Sequence, residues 1–224
     1  MQQTVKIAAG DGVVLEGNLF LPPPRPPPRG IVVFAHGSGS SRFSPRNRQV
    51  SEVLYQAGLA TLLFDLLTAE EEAVDAYTMH LRFDIGLLAR RLAGVTDWLV
   101  AENNQAVKDL AIGYFGASTG AAAALVAAAE RPSYVKAVVS RGGRPDLAEG
   151  ALGKVKAPTL LIVGSRDEPV IEMNRDAMAK MKKAECKLVI VPGASHLFEE
   201  PGKLDEVARL ARDWFLRHLV ADVP

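Results

Sequence analysis

Hydrophobic residues along the chain fall into short, nearly unbroken runs, separated by longer segments with a helical period. The runs lie at residues 31–36, 61–64, 110–115, 135–140, 159–164 and 187–191. Runs of this length, rich in branched aliphatic residues, are typical of strands buried on both faces of a parallel sheet. The intervening pattern predicts helices at residues 48–57, 77–102, 119–130, 171–182 and 203–219. Predicted strands and helices therefore alternate through most of the chain.

This alternation indicates an α/β fold with a mostly parallel, doubly wound sheet. Residues 4–8 and 13–21 precede it and flank Asp11 and Gly12, a pattern that predicts an N-terminal antiparallel hairpin. The proline-rich stretch at 22–28 is interpreted as an extended connector. The connection between residues 140 and 159 is too short for a helical cap. We expect a single domain over residues 1–224 with no large cap and an open site.

Composition limits the class of protein. The 224 residues are 48% hydrophobic, enough for a sizeable core, and the 26 basic residues balance the 26 acidic ones. An even balance gives no reason to expect binding to nucleic acid or to an anionic membrane surface. No apolar stretch approaches the roughly 20 residues that a membrane-spanning helix needs, and the polar start lacks a signal-peptide core. With a single cysteine, Cys186, no internal disulfide can form, so we expect a cytoplasmic protein.

Ser118 lies in the pentapeptide Gly116-Ala117-Ser118-Thr119-Gly120, between a predicted strand and an alanine-rich helical segment. A sharp strand-to-helix turn holds its serine in a strained conformation, so that the hydroxyl stands clear of the sheet. Glycine is needed at 116 and 120 because side chains there would collide. The start of the following helix adds a positive dipole end. The sequence therefore predicts Ser118 as a nucleophile.

Asp167 and His196 each follow a predicted strand, and the carboxyl ends of parallel strands meet at the edge where ligands bind. Their order after Ser118 is that of the α/β-hydrolases. A serine hydroxyl needs a base to remove its proton, and an imidazole, with an ordinary pKa of about 6.5, suits this task. We predict His196 as the base and Asp167 as the acid that orients it.

Other residues are weaker candidates for these roles. We expect His36 to fix its loop by hydrogen bonds, and His80 and His218 lie in helical patterns with charged neighbours, typical of surface residues. Asp65 follows a predicted strand and is the main competitor to Asp167, but it precedes Ser118 in the chain.

An oxyanion site is expected from two backbone amides. One belongs to Thr119, directly after the nucleophile, and the other to the loop that begins at His36. We predict Ser38 as the second donor, because the glycines beside it let a substrate come close, with Gly39 as the alternative.

The chain resembles the dienelactone hydrolase-like branch of the α/β-hydrolase superfamily. The motifs that carry the resemblance are residues 36–47, 116–120, 140–146 and 192–201. It implies a compact hydrolase without a cap that acts on esters or lactones, with Ser118, Asp167 and His196 as the triad. Dienelactone hydrolases proper use a cysteine where this chain has Ser118, so a general carboxylesterase is the expectation. The branch also resembles domains joined to phosphoribosyltransferases.

Several loop residues are candidates for contact with substrate. Leu66, Leu67, Phe43 and Phe198 could line an apolar pocket, or could be ordinary packing at the bases of loops. Arg42, Arg141 and Arg144 could bind a substrate carboxylate or phosphate, or could form salt bridges between loops.

We expect no metal and no cofactor. His196 with Glu199 and Glu200 is interpreted as a catalytic histidine followed by acids near a helix start. The expected partner is a small ester or lactone, and a homodimer is possible. The same triad could instead transfer an acyl group to another acceptor or hydrolyse activated phosphoesters. A binding module without catalysis is the remaining alternative.

Overall fold

A computed structural model describes residues 1–101 and 104–219. Within these residues the chain forms one sheet of eight strands in the order β1-β2-β4-β3-β5-β6-β7-β8. The strands are β1 (Gln2–Ala8), β2 (Val14–Phe20), β3 (Ile31–Ala35), β4 (Ala60–Phe64), β5 (Ile112–Ala117), β6 (Val135–Arg141), β7 (Thr159–Gly164) and β8 (Cys186–Val191). The β1–β2 and β2–β4 pairs are antiparallel, and the other pairs are parallel. The predicted fold, including the N-terminal hairpin, is confirmed.

Helices cover both faces of the sheet. They are α1 (Pro45–Gln56), α2 (Ala69–Thr78), α3 (Ile85–Val100), α4 (Thr119–Glu130), the short α5 (Glu149–Leu152), α6 (Glu168–Lys180) and α7 (Lys203–His218). Helices α1 and α7 pack together over one face, and α3 and α4 pack together over the other. Alternate residues of the central strands point to the two cores, as in Val33 and Phe34 of β3. None of these helices is long and apolar enough to cross a membrane, among the residues described.

Most predicted elements lie close to their observed positions. The helix at 119–130 and the strand at 159–164 have the predicted bounds, and the other strands shift by no more than two residues at either end. Helix α1 begins at Pro45, three residues before the predicted start, because the hydroxyl of Ser44 accepts a hydrogen bond from the Asn47 amide and caps the helix. Helix α6 likewise begins earlier than predicted, with Pro169 in its first turn.

The predicted helix at 77–102 is wrong in its first part. Helix α2 ends at Thr78, where Met79 takes a left-handed conformation with φ of 55°, and α3 begins only after Asp84, whose side chain accepts from the Leu87 amide at 2.8 Å. Glu102, the last residue of the predicted helix, lies outside the described residues. Helix α2 itself was not predicted, although Thr68 and Glu71 form a capping box that was readable in the sequence.

The connection between β6 and β7 is short, as predicted. It contains a 3-10 turn at Pro145–Ala148 and then α5, with no cap domain. The other added structure at this edge is the segment from α2 to the 3-10 turn at Leu81–Phe83, called here the α2 segment (residues 69–83). Arg82 holds it together by donating from Nε to the Oδ2 of buried Asp75 at 2.6 Å.

Small residues allow α3 to approach the N-terminal hairpin. A Cβ atom added to Gly94 of α3 would lie 2.0 Å from the carbonyl oxygen of Ala9. Real atoms cannot come so close, so the helix can cross the end of β1 only with glycine at this position.

His36 ties together the loops that follow β3 and β4. Its Nε2 accepts from the Leu66 amide at 3.2 Å, which leaves Nδ1 protonated to donate to the Gly37 carbonyl at 3.0 Å. The predicted role of His36 in fixing its loop is therefore confirmed. Burial lowers the pKa of His36 below the ordinary histidine value, because the surroundings disfavour the imidazolium.

Gly94→Ala is expected to destabilise the protein by about 2 kcal/mol or more, because its methyl group must push α3 away from the Ala9 carbonyl. The matched control is Gly150→Ala in α5, where an added Cβ meets nothing within 4 Å. Denaturant unfolding of both variants measures the difference. Equal stabilities would contradict the close contact.

His36→Gln is expected to make stability less dependent on pH. Below about pH 6.5, His36 is protonated in the unfolded chain but resists protonation in the folded protein. The free energy of unfolding of the wild type therefore decreases as the pH is lowered, by at most about 1.4 kcal/mol per pH unit from this residue. Glutamine has no such proton to take up. Unfolding free energies at about pH 7.5 and about pH 5.5 test this, and equal losses in wild type and variant would refute it.

Candidate active site

Ser118 stands at a strained turn between β5 and α4. Its φ and ψ are 51° and −119°, a region that side chains other than glycine rarely occupy. A Cβ on Gly116 would lie 2.4 Å from the Ala121 Cα, and one on Gly120 would lie 2.2 Å from the Ala35 carbonyl oxygen. The predicted need for glycine at both positions is confirmed, and the collisions would be with backbone atoms that cannot move aside.

The structure brings Asp167 and His196 into direct contact. Asp167 follows β7 at the N-cap position of α6, and His196 lies in the loop after β8. The Nδ1 of His196 is 2.6 Å from the Oδ2 of Asp167, so the imidazole donates through Nδ1. Nε2 is then free to accept a proton. The histidine side chain is 39% exposed and the aspartate 15%, so the base faces the solvent side of the pair.

The residues after β6 connect this pair with Ser118. The Ser118 amide donates to the Arg141 carbonyl at 3.2 Å. A Cβ on the next residue, Gly142, would lie 3.4 Å from Cε1 of the His196 ring. The serine and the imidazole thus contact two adjacent residues, Arg141 and Gly142. Within the described chain the Ser118 hydroxyl makes no hydrogen bond, and catalytic contacts of this kind often tighten only when substrate binds.

Additional hydrogen bonds hold the histidine loop in place. The Ser165 hydroxyl accepts from the Gly193 amide at 2.7 Å, and both carboxylate oxygens of Glu200 accept from the Ser195 amide at 3.1 Å. The first bond links the aspartate loop to the histidine loop, and the second fixes the residue before His196. The sequence analysis missed both roles because a loop serine or glutamate has no pattern that reveals its partner.

Glu199 and Glu200 do not face His196 as a ligand set. Glu199 forms an ion pair with Arg46 at 3.1 Å, and Glu200 is engaged with Ser195. No group of three or more histidine, cysteine, aspartate or glutamate side chains suited to a metal occurs in the part of the chain that the structure describes.

The two predicted oxyanion donors lie side by side. The Ser38 amide donates to the Thr119 hydroxyl at 2.9 Å, and Thr119, as the first residue of α4, has no acceptor within the helix for its own amide. A Cβ on Gly37 would lie 3.2 Å from the Cβ of Ser118. The loop after β3 therefore rests directly against the nucleophile elbow.

A small cavity with an accessible volume of about 10 Å³, close to the room that one water molecule needs, opens beside these amides. Leu66, Leu67 and Leu88 form its apolar wall, and Glu72 and Arg82 of the α2 segment close its far side. Two of the predicted pocket residues, Leu66 and Leu67, thus line a pocket beside the predicted oxyanion site. A larger, more open depression lies elsewhere, between the β1–β2 turn and α3, and its Asp97 and Arg131 pair with each other.

The two aromatic candidates lie outside this cavity. Phe43 is 50% exposed, with the guanidinium groups of Arg42 and Arg48 at 4.4 and 5.0 Å from its ring centroid. Phe198 is 1% exposed and packs in the core beneath α1 and α7, which leaves it no surface for a substrate.

Two of the three arginine candidates form ion pairs. Arg42 binds Asp65 through its guanidinium and, at 2.7 Å, its backbone amide, and it also reaches Glu16. Arg144 binds Asp146 at 2.7 Å. Arg42 thus joins the loops after β3 and β4 and engages Asp65, the competitor of Asp167, whereas Arg144 pairs within its own loop.

Arg141 differs from the other two. It is the last residue of β6 rather than a loop residue, and it is 94% buried, since its relative exposure is 6%. It forms no ion pair or hydrogen bond through its side chain within the described residues.

The remaining histidines and the cysteine lie away from Ser118. His80 is exposed before the 3-10 turn, as predicted, but the predicted surface position of His218 is wrong: its side chain is 13% exposed and packs against Trp214, with ring centroids 4.4 Å apart. Burial raises the pKa of the Cys186 thiol to about 11, so the thiol stays protonated near neutral pH.

The fold matches known proteins along nearly the whole chain. A crystal structure of dienelactone hydrolase from Anabaena variabilis is 62% identical, covers 98% of both chains and superposes with a TM-score of 0.93. Est1E from Butyrivibrio proteoclasticus has the same fold at 19% identity, with a TM-score of 0.77 over 96% of this chain and 98% of its own.

Curated relatives from two strains of Mycobacterium tuberculosis carry the provisional name phosphoribosyl transferase. Each is 59% identical over 222 residues, or 99% of this chain. The chain spans only 48% of their length, so their name describes a protein about twice as long. The family model of the dienelactone hydrolases matches residues 15–219. The chain therefore belongs to the dienelactone hydrolase family.

Proposed function

We propose that this protein is a serine hydrolase that cleaves carboxylic esters or lactones through an acyl-serine intermediate. The observation that supports this most directly is the hydrogen bond of 2.6 Å between His196 and Asp167, at the sheet edge where Ser118 is held in a strained turn. A strained serine, an oriented imidazole and backbone amides next to the serine are the parts that acyl transfer requires.

In the first half of the reaction, the Ser118 oxygen attacks the ester carbonyl carbon and its proton passes to Nε2 of His196. Asp167 stabilises the resulting imidazolium through its bond to Nδ1. The Thr119 amide donates to the oxygen that becomes negative, and the Ser38 amide joins it by exchanging the Thr119 hydroxyl for that oxygen. The bond to the alcohol then breaks, and His196 returns its proton to the leaving alkoxide.

In the second half, His196 takes a proton from water while the water oxygen attacks the acyl carbon. Collapse of this second intermediate breaks the bond to Ser118, whose oxygen takes the proton back from His196, and releases the carboxylic acid. For a lactone, alcohol and acid belong to one molecule, so the product is a hydroxy acid. All the steps use side chains and amides of this chain.

Acyl transfer to another acceptor and hydrolysis of activated phosphoesters use the same nucleophile. Hydrolysis is the first choice because the His196 side chain is 39% exposed, which gives water access to the base. Phosphoribosyl transfer, the reaction in the name of the longer relatives, is not proposed for this half of those proteins.

Ser118→Ala is expected to lower the turnover of short 4-nitrophenyl esters by a factor on the order of 10⁴ while preserving the fold. The matched control is Ser133→Ala, at an exposed serine outside the site, which should retain full activity. A fluorophosphonate probe should label wild type and the control only. Equal turnover by Ser118→Ala and wild type would mean that the nucleophile is misassigned.

Asp167→Asn is expected to reduce kcat by roughly 10⁴-fold, because an asparagine does not hold the imidazole in the required tautomer. Asp65→Asn should keep kcat within a few-fold and lower the unfolding temperature instead, because it weakens the attachment of Arg42. Ester kinetics and thermal unfolding of both variants separate the two roles. Similar losses of kcat would reopen the choice of acid.

A further inference from the structure

Arg141 is a buried cation without a partner. Only 6% of its surface is exposed, and its side chain forms no hydrogen bond or ion pair within the described chain. Its Nε is fully enclosed and unpaired. The two terminal nitrogens are also unpaired but are not enclosed, so the remaining exposure includes them. The guanidinium therefore offers its two terminal nitrogens to whatever enters from the surface.

The surroundings of Arg141 increase the free-energy cost of its buried charge. Burial, and then the nearby guanidinium of Arg46, lower the pKa of Arg141 to about 10, which still leaves it charged at neutral pH. Arg46 is in the first turn of α1, which contains no acidic residue and presents the positive end of the helix dipole. An unpaired buried charge costs several kcal/mol. Among the described residues, Glu199 forms an ion pair with Arg46 but none with Arg141.

Arg141 is directly beside the proposed catalytic residues. Its carbonyl accepts from the Ser118 amide at 3.2 Å, across strands that lie about 5 Å apart. The following residue, Gly142, is the one whose Cβ would touch the His196 ring. The backbone of Arg141 is therefore part of the proposed site, and its guanidinium can lie no farther from these contacts than the length of one arginine side chain. The other two arginine candidates already have carboxylate partners.

We propose that Arg141 binds an oxyanion, a carboxylate or a phosphate, carried by the substrate near its scissile ester bond. That the anion is part of a substrate rests on the proposed ester hydrolysis, whereas the binding of an anion by Arg141 does not. Two terminal N–H groups in a fixed plane match the paired oxygens of such groups. The charge that is unfavourable in the free protein is neutralised when substrate binds.

The kinetic test compares two esters of nearly equal shape, 4-nitrophenyl hexanoate and the mono-4-nitrophenyl ester of adipic acid, which ends in a carboxylate. Wild type should prefer the charged ester, and Arg141→Met should lose about 10- to 100-fold in kcat/KM on it alone. Arg144→Met, at the paired arginine of the same segment, should behave as wild type. An equal ratio of the two esters in wild type and Arg141→Met would overturn the proposal. A third ester ending in a phosphonate identifies which oxyanion is preferred.

The binding test does not depend on catalysis. In Ser118→Ala, adipate or inorganic phosphate should raise the unfolding temperature, and the double variant with Arg141→Met should show no such rise. This result would support the anion site even if no ester were hydrolysed. Equal rises in both proteins, or none in either, would refute it.

Stability distinguishes the proposal from a purely structural role. Arg141→Met should unfold at the wild-type temperature or above it, because it removes an uncompensated buried charge. Arg141→Lys, which keeps the charge but not the planar fork, should retain part of the preference for the charged ester. A large drop in the unfolding temperature of Arg141→Met would show that the arginine serves the fold, and would overturn the proposal.

Discussion

The contact between the first turn of α4 and the end of β3 is the constraint on which the site depends. A Cβ at Gly120 would lie 2.2 Å from the Ala35 carbonyl oxygen and 2.3 Å from that of His36. Two backbones can meet this closely only where one side chain is missing. The contact sets the elbow of Ser118 against the loop of Ser38, so that the nucleophile and both proposed oxyanion donors are positioned by packing of the main chain.

The sequence predicted the elements that depend on local pattern. Buried parallel strands have recognisable apolar runs, and the alanine-rich helix after Ser118 was predicted with its observed bounds. The sequence predicted that Ser118, Asp167 and His196 lie at one edge of the sheet. The hydrogen bond between His196 and Asp167 agrees with this placement. Helix α2 was missed because its capping box precedes a largely polar segment, in which few apolar residues reveal the period.

The pairing of charged residues could not be predicted, because it depends on three-dimensional neighbours. Arg42, Arg141 and Arg144 look alike in the sequence, yet two of them have carboxylate partners and the third has none among the described residues. Phe198 looked like a loop residue at the site, but the turn of its backbone, with φ of 59°, sends it into the core. For such residues, a difference of a few ångströms in position determines whether the side chain contacts substrate or packs against the protein.

Two residues at this edge of the sheet carry an energetic cost in the free protein. Ser118 has a backbone conformation that costs of order 1–3 kcal/mol, and Arg141 buries a charge without a partner. A chain that minimised its free energy alone would remove both. They are neighbours, joined by the hydrogen bond from the Ser118 amide to the Arg141 carbonyl. Local instability at adjacent positions is expected where a site is organised for a bound molecule rather than for the free protein.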